Sequence, residues 1–146
     1  MTPTASLLLL SLLLLGCSGP RPTPLPDFNG LLRQNASSRR DPALAQRWLA
    51  SLTLRGGRER VDLVDLGSRQ PVPLPGLNRA DAQPISVSVS ADGTRLAVVQ
   101  QRDERTELVL YRRNVGTVQR LPLEPPGVPR SVSLNADGRR LAVQVS

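Results

Sequence analysis

The chain has 146 residues and a formal charge of +7 carried entirely by arginine, with no lysine, no histidine and a single cysteine. That length leaves room for one ordinary domain at most. Without histidine the commonest general base and metal ligand is missing, and one thiol excludes a disulfide framework or a two-cysteine metal site. Excess positive charge invites a nucleic-acid reading. The arginines, however, are scattered through every segment, and one Trp, one Tyr and one Phe cannot build a stacking platform. The expected partners therefore exclude nucleic acid and include anionic membrane surfaces.

Leu7 to Leu15 is an apolar run broken only by Ser11, the length of a signal-peptide core and too short to span a bilayer. It ends at Leu14-Leu15-Gly16-Cys17, which resembles the lipobox of bacterial lipoproteins. The resemblance implies cleavage after Gly16, so that residues 1–16 are a signal peptide, and acylation of Cys17. The segment before the run has no Lys or Arg, a departure from the usual pattern. Several acyl chains at about 0.8 kcal/mol per buried CH₂ give a stable membrane anchor where one chain is marginal. Ser18, which is not aspartate, favours the outer membrane under the family's sorting rule. Residues 17–40 then read as a flexible linker, with prolines at 20, 22, 24 and 26 giving a semi-rigid tether. Phe28, Leu31 and Leu32 are its only apolar docking points.

Residues 41–146 carry an internal repeat. Pro84-Ile-Ser-Val-Ser-Val-Ser-Ala-Asp92-Gly93-Thr-Arg-Leu-Ala-Val98 returns as Pro129-Arg-Ser-Val-Ser-Leu-Asn-Ala-Asp137-Gly138-Arg-Arg-Leu-Ala-Val143, at a spacing of 45 residues. The period predicts β-propeller blades. Residues 41–83 form a degenerate first unit, in which Arg47 to Ala50 aligns with Thr94 to Ala97. Glu59-Arg60 and Asp62-Leu63-Val64 align with the segment from Glu104 to Val109 at a spacing of 45, and Gly56-Gly57 takes the turn between. A rival reading starts a helix at Asp41-Pro42 and runs it to Leu52; the strand reading fits the repeat better.

Residues 84–128 are the clear unit. Alternation over Ser86–Ser90 gives a half-buried strand, Asp92 and Gly93 a tight turn, and Arg95–Gln100 a returning strand with apolar residues on both faces. Glu107–Arg112 and Val115–Leu121 supply two more, after a charged turn at Gln101–Arg105. Four strands in about 45 residues make a blade. Residues 129–146 are an incomplete third unit, with Asp137 and Gly138 at its turn. The expected fold is thus all-β, a partial β-propeller of two to three antiparallel blade-like sheets following a signal peptide and a Pro-rich tether.

The pattern from Pro84 through Ser90-Ala-Asp92-Gly93 and Leu96-Ala-Val, followed by Glu107-Leu-Val-Leu-Tyr, resembles the repeats of TolB-like propeller proteins. The family's Trp and its Pro before Asp are replaced by Val89 or Leu134 and by Ala91 or Ala136. The resemblance implies a propeller that serves protein contacts.

The 106 residues of the domain amount to between two and three units, and closed propellers have four or more blades. The last unit reads as ending in mid-blade, which leaves an open stack, a ring closed by other copies, or a shortened product. Leu141, Val143 and Val145 mark an apolar edge open to strand addition. No catalytic pair, phosphate loop, metal site or cofactor site is expected, because the serines sit at strand periodicity without histidine and the Asp-Gly turns lack further acidic ligands. The expected function is a non-catalytic, lipid-anchored envelope protein binding an envelope protein or another copy of itself. The alternatives are an accessory propeller, related to peptidases or glycan-processing enzymes, that binds peptide or polysaccharide, and a truncated inactive fragment.

Overall fold

The computed structural model describes residues 39–146, which lie within one compact unit. Cys17, Gly16, the signal segment and the tether up to residue 38 fall outside the described residues. Within them there are ten strands and no helix: β1 (Arg39–Ala45), β2 (Trp48–Arg55), β3 (Arg58–Asp65), β4 (Gln70–Val72), β5 (Ala82–Val89), β6 (Arg95–Arg102), β7 (Arg105–Arg112), β8 (Thr117–Leu121), β9 (Pro129–Leu134) and β10 (Leu141–Val145). They form two four-stranded meanders, β1-β2-β3-β4 and β5-β6-β7-β8, and a two-stranded sheet of β9 and β10, all antiparallel. These are the expected antiparallel blade-like sheets of an all-β fold.

Several expected boundaries shift. Strand β1 begins at Arg39, so Arg40 and its neighbour belong to the first blade and not to the linker. Strand β5 begins at Ala82, two residues before the expected unit boundary. The helix considered for residues 41–52 does not form. Asp41, at a φ of 50°, instead lies in an irregularity where β1 shifts register against β2. That placement uses the proline differently: Pro42 needs no amide donor within the shifted stretch.

The spacing of the first unit is corrected as well. In the β2–β3 hairpin Arg55 faces Arg58, and in the β6–β7 hairpin Arg102 faces Arg105, an offset of 47. The same offset relates Leu66 N–H to Arg47 O, at 2.7 Å, and Arg113 N–H to Thr94 O, at 2.8 Å. Glu59 therefore corresponds to Thr106, not to Glu104. The reason is the first turn. Ala45 faces Trp48 across two residues, whereas the β5–β6 connection carries Asp92-Gly93 in addition. First strands repeat at 45 and later strands at 47.

The core lies between the blades. On β6, Leu96 and Val98 face the first blade, and Ala97 and Val99 face the third. All four are fully buried, so the strand is apolar on both faces because each face meets another sheet. The first interface joins Ala50, Leu52, Val61 and Leu63 to Leu96, Val98, Val109 and Tyr111. The second joins Ala97, Val99 and Leu108 to Val132 and Leu134. Each buried Val or Leu contributes roughly 1.5–3 kcal/mol.

Candidate interaction surface

The blades meet through two polar joints as well as apolar packing, and both recur with the repeat. In the first, a side chain of one first strand accepts from the backbone of the next. Asp41 Oδ2 accepts from Val87 N–H at 2.8 Å; Ser86 and Ser88 Oγ accept from Val132 and Leu134 N–H at 3.2 and 2.9 Å. The serines are buried, so their role is cross-blade satisfaction of the neighbouring edge and not nucleophilic chemistry.

In the second joint, the residue opening a blade's second strand rests on the Asp-Gly turn of the next. A Cβ on Gly93 would lie 2.3 Å from Trp48 Cε2, and one on Gly138 would lie 2.9 Å from Arg95 Cδ. Trp48 and Arg95 correspond at the offset of 47, and Arg95 Nη1 also donates to Gly138 O at 2.9 Å. The turns themselves are held by their aspartates. Asp92 Oδ1 accepts from Ser90 Oγ, Thr94 N–H and Thr94 Oγ1 at 2.6, 3.0 and 2.8 Å. These bonds favour the charged form and hold the carboxyl at about 2, against an ordinary 3.8. Asp137 Oδ1 accepts from Arg139 N–H at 2.8 Å. Asp92 and Asp137 therefore hold the turns, while Gly93 and Gly138 are also the seats of blade contacts, a second role that turn chemistry alone does not reveal.

Among the described residues strand β10 pairs with β9 alone. Asn135 N–H donates to Arg140 O, and Val128 and Ser146 exchange both of their bonds. Antiparallel alternation then turns the main chain of Ala142 and Gln144 toward β9 and that of Leu141, Val143 and Val145 toward the open edge. The side chains of Leu141 and Val143 are half-buried on the second core cluster, and Val145 is 47% exposed. In the second blade the corresponding residues Leu96, Val98 and Gln100 pair with Tyr111, Val109 and Glu107 of β7.

Beside this edge lies a groove of about 430 Å³ lined by Leu108, Leu121, Pro122, Leu123, Gly127 and Pro129, among others. Its counterpart in the first blade is filled. There Leu74 and Leu77 pack with Tyr111, whose hydroxyl donates to Pro75 O at 2.8 Å. Leu77 is 4% exposed and Leu63 1%, while Leu110, equivalent to Leu63 at the offset of 47, and Leu123 are half-buried.

Three sheets with first strands side by side, apolar interfaces on both faces of the middle sheet and a repeated turn joint decide the architecture. The fold is a partial β-propeller. A structure of TolB from Acinetobacter baumannii superposes on 70% of this chain with a TM-score of 0.54 at 20% identity. The β-propeller domain of Cps50 (Swd1) from Myceliophteria thermophila covers 75% with a TM-score of 0.46 at 18% identity. The chain spans about a quarter of the TolB chain and about a third of the other. No family model and no curated protein matches it. Among the described residues no cluster of acidic or cysteine side chains could hold a metal ion, and no helix is long and apolar enough to cross a membrane.

Proposed function

We propose that this chain is a non-catalytic, lipid-anchored cell-envelope protein that offers its propeller blades as a protein-interaction surface. The observation that carries the reading is the stack of blade-like sheets itself, packed face to face as in the propeller of TolB. The apolar run Leu7–Leu15 ending in Gly16-Cys17 supports the anchor, and Ser18 supports an outer-membrane destination. Histidine is absent, and Ser86 and Ser88 serve as cross-blade acceptors, which supports a binding role over a catalytic one.

Mass spectrometry of the membrane fraction tests the anchor: Cys17 should be N-terminal and acylated, and Cys17→Ser should move the protein to the soluble fraction. A wild-type chain that is unacylated and soluble defeats that part. Crosslinking in intact cells tests the other part, since adducts to one defined protein are expected and a chain crosslinking only to lipid defeats it.

A further inference from the structure

We propose that the outer edge of β8 receives an extended, acidic segment of a partner protein, paired as a fifth strand of the second blade. The inference rests on the interaction reading above and specifies its partner. Both blades that build the site are complete four-stranded meanders. The repeat itself marks the edge. Strand β4, the outer strand of the first blade, is three residues long, with Pro71 at its centre opposite Val64. Strand β8 has five residues, and Val118, opposite Tyr111, stands where Pro71 stands at the offset of 47. Proline blunts an edge because it removes an outward N–H. The first blade carries that device and the second does not. Asp103 and Glu104, both at positive φ, make a two-residue turn in which Arg102 and Arg105 bond each other, so alternation directs residues 106, 108, 110 and 112 of β7 toward β8. Thr117, Gln119 and Leu121 answer them, which leaves the N–H and C=O groups of Val118 and Arg120 facing outward.

The side chains of the same two residues line a groove of about 690 Å³ between the first and second blades. Its apolar part is made by Leu77, from the connection between β4 and β5, with Val109 and Val118, the last 39% exposed. Around it stand Arg79, Arg102, Arg105 and Arg120, against the carboxylates of Asp103 and Glu107. Asp81 accepts from Nε of both Arg79 and Arg102 at 3.0 Å, and Glu107 lies 3.5 Å from Arg120 Nε, so three of the guanidinium groups are held in place. The Arg105 side chain has no partner among the described residues, although it lies directly opposite Arg102. Like charges facing each other across a hairpin are destabilising, and a carboxylate supplied beside Arg105 relieves that.

An antiparallel strand on β8 sets an apolar side chain opposite Val118 and an acidic one opposite Arg120, with further acidic residues toward the Arg102–Arg105 hairpin. Charge selects such a segment over a second copy. Two β8 strands paired edge to edge bring the arginines of both copies together.

The test uses the purified chain and a fluorescein-labelled peptide, Asp-Thr-Glu-Thr-Ile-Thr, whose glutamate and isoleucine fall opposite Arg120 and Val118. Anisotropy should show saturable binding that weakens with added salt. Val118→Pro, which installs the first blade's own residue, and Arg105→Glu, which sets an opposite charge against Arg102, should each weaken it at least about tenfold. N-methylation of the probe at its glutamate and isoleucine should abolish binding, while methylation at its second and fourth residues should not. The methylated probes leave the protein untouched, so misfolding of a variant cannot imitate the result. No saturable binding, equal loss with both methylation patterns, or equal binding of Lys-Thr-Lys-Thr-Ile-Thr overturns the proposal. So does a dimer, seen by light scattering and dissolved by Val118→Pro, without peptide binding. A partner crosslinked in cells equally well by wild type and Val118→Pro refutes this site and leaves the interaction reading standing; loss of the Cys17 anchor alone has no bearing on it.

Discussion

Gly93 of the second blade lies directly against the indole of Trp48 from the first, so close that a methyl group at residue 93 would sit 2.3 Å from the ring. The glycine is needed twice over, since its φ of 70° is also a left-handed conformation. Three alanine substitutions separate the two demands. Gly56→Ala meets open space and should cost only the left-handed conformation, about 1–2 kcal/mol. Gly93→Ala adds an overpacking cost of about 1–3 kcal/mol against a rigid ring. Gly138→Ala should fall between, because Arg95 Cδ belongs to a flexible side chain that can move. Urea unfolding at constant m should therefore rank the losses Gly93, Gly138, Gly56. Equal losses at all three would mean that the blade contact adds nothing.

The ring of Trp48 is also covered by two guanidinium groups, with Arg47 at 5.0 Å and Arg113 at 4.9 Å from its centroid. Arg113 in addition donates Nε to Gly93 O at 2.7 Å, tying the covering charge to the turn under the ring. Arg113→Ala should cost about 1–2 kcal/mol, the sum of one partly solvated cation–π contact and one hydrogen bond. Trp48 is the only tryptophan, so its emission reports the same event. A shift to longer wavelength is expected in the folded variant, and unchanged emission would show that Arg113 does not shield the indole.

The repeat made the blade legible because its signals are local: alternation over Ser86–Val89, a turn at Asp92-Gly93, and two-faced apolarity at Leu96–Val99. The blade joints were not legible, for an equally physical reason. Trp48 and Arg95 fill the same place with different chemistry, one by stacking on a glycine and the other by donating to its carbonyl. Asp41 likewise does for Val87 what Ser86 does for Val132. A pattern that compares residue types misses such equivalences; the two-residue difference between the first turns hid them further by shifting the later strands to an offset of 47. Strand β10 was legible from the alternation of Leu141, Val143 and Val145. The groove beside it was not, because Leu121, at the end of β8, and Leu123, in the segment after it, pack on residues of another blade.

The Asp92 carboxylate, held at about 2 by Ser90 and Thr94, is stabilised by folding relative to its ordinary 3.8. A depressed folded value means stability that is fully present above about pH 4 and is lost as pH falls toward 2. Glu59, held low by the Arg40 guanidinium, and Asp81, held low by Arg79, act in the same direction. The contribution of Asp92 is therefore read as a difference. Asp92→Asn keeps an acceptor at the turn but cannot titrate, so it should lower stability at neutral pH and show a shallower fall between pH 4 and 2 than wild type. Parallel urea-midpoint curves over that window would refute the assignment.

Two hydroxyls on one face of β2 should respond to deletion with opposite signs. Ser51 Oγ accepts from Arg39 Nη1 at 3.1 Å, whereas the buried Thr53 Oγ1, two residues on, has no partner among the described residues. Removing a satisfied acceptor leaves a part-buried guanidinium nitrogen with only the longer Asp62 contact at 3.8 Å, so Ser51→Ala should destabilise by about 1 kcal/mol. Removing an unsatisfied hydroxyl releases its desolvation cost, and Thr53→Val keeps the β-branched shape suited to a strand. A gain of about 1 kcal/mol is expected from Thr53→Val. Arg39 Nε, also buried and without a partner among the described residues, lies on the residue directly opposite Thr53 and is unaffected by that change, so the gain should remain partial. Thermal unfolding of the two variants against wild type decides it: a loss with Thr53→Val would show that the hydroxyl is hydrogen-bonded in solution.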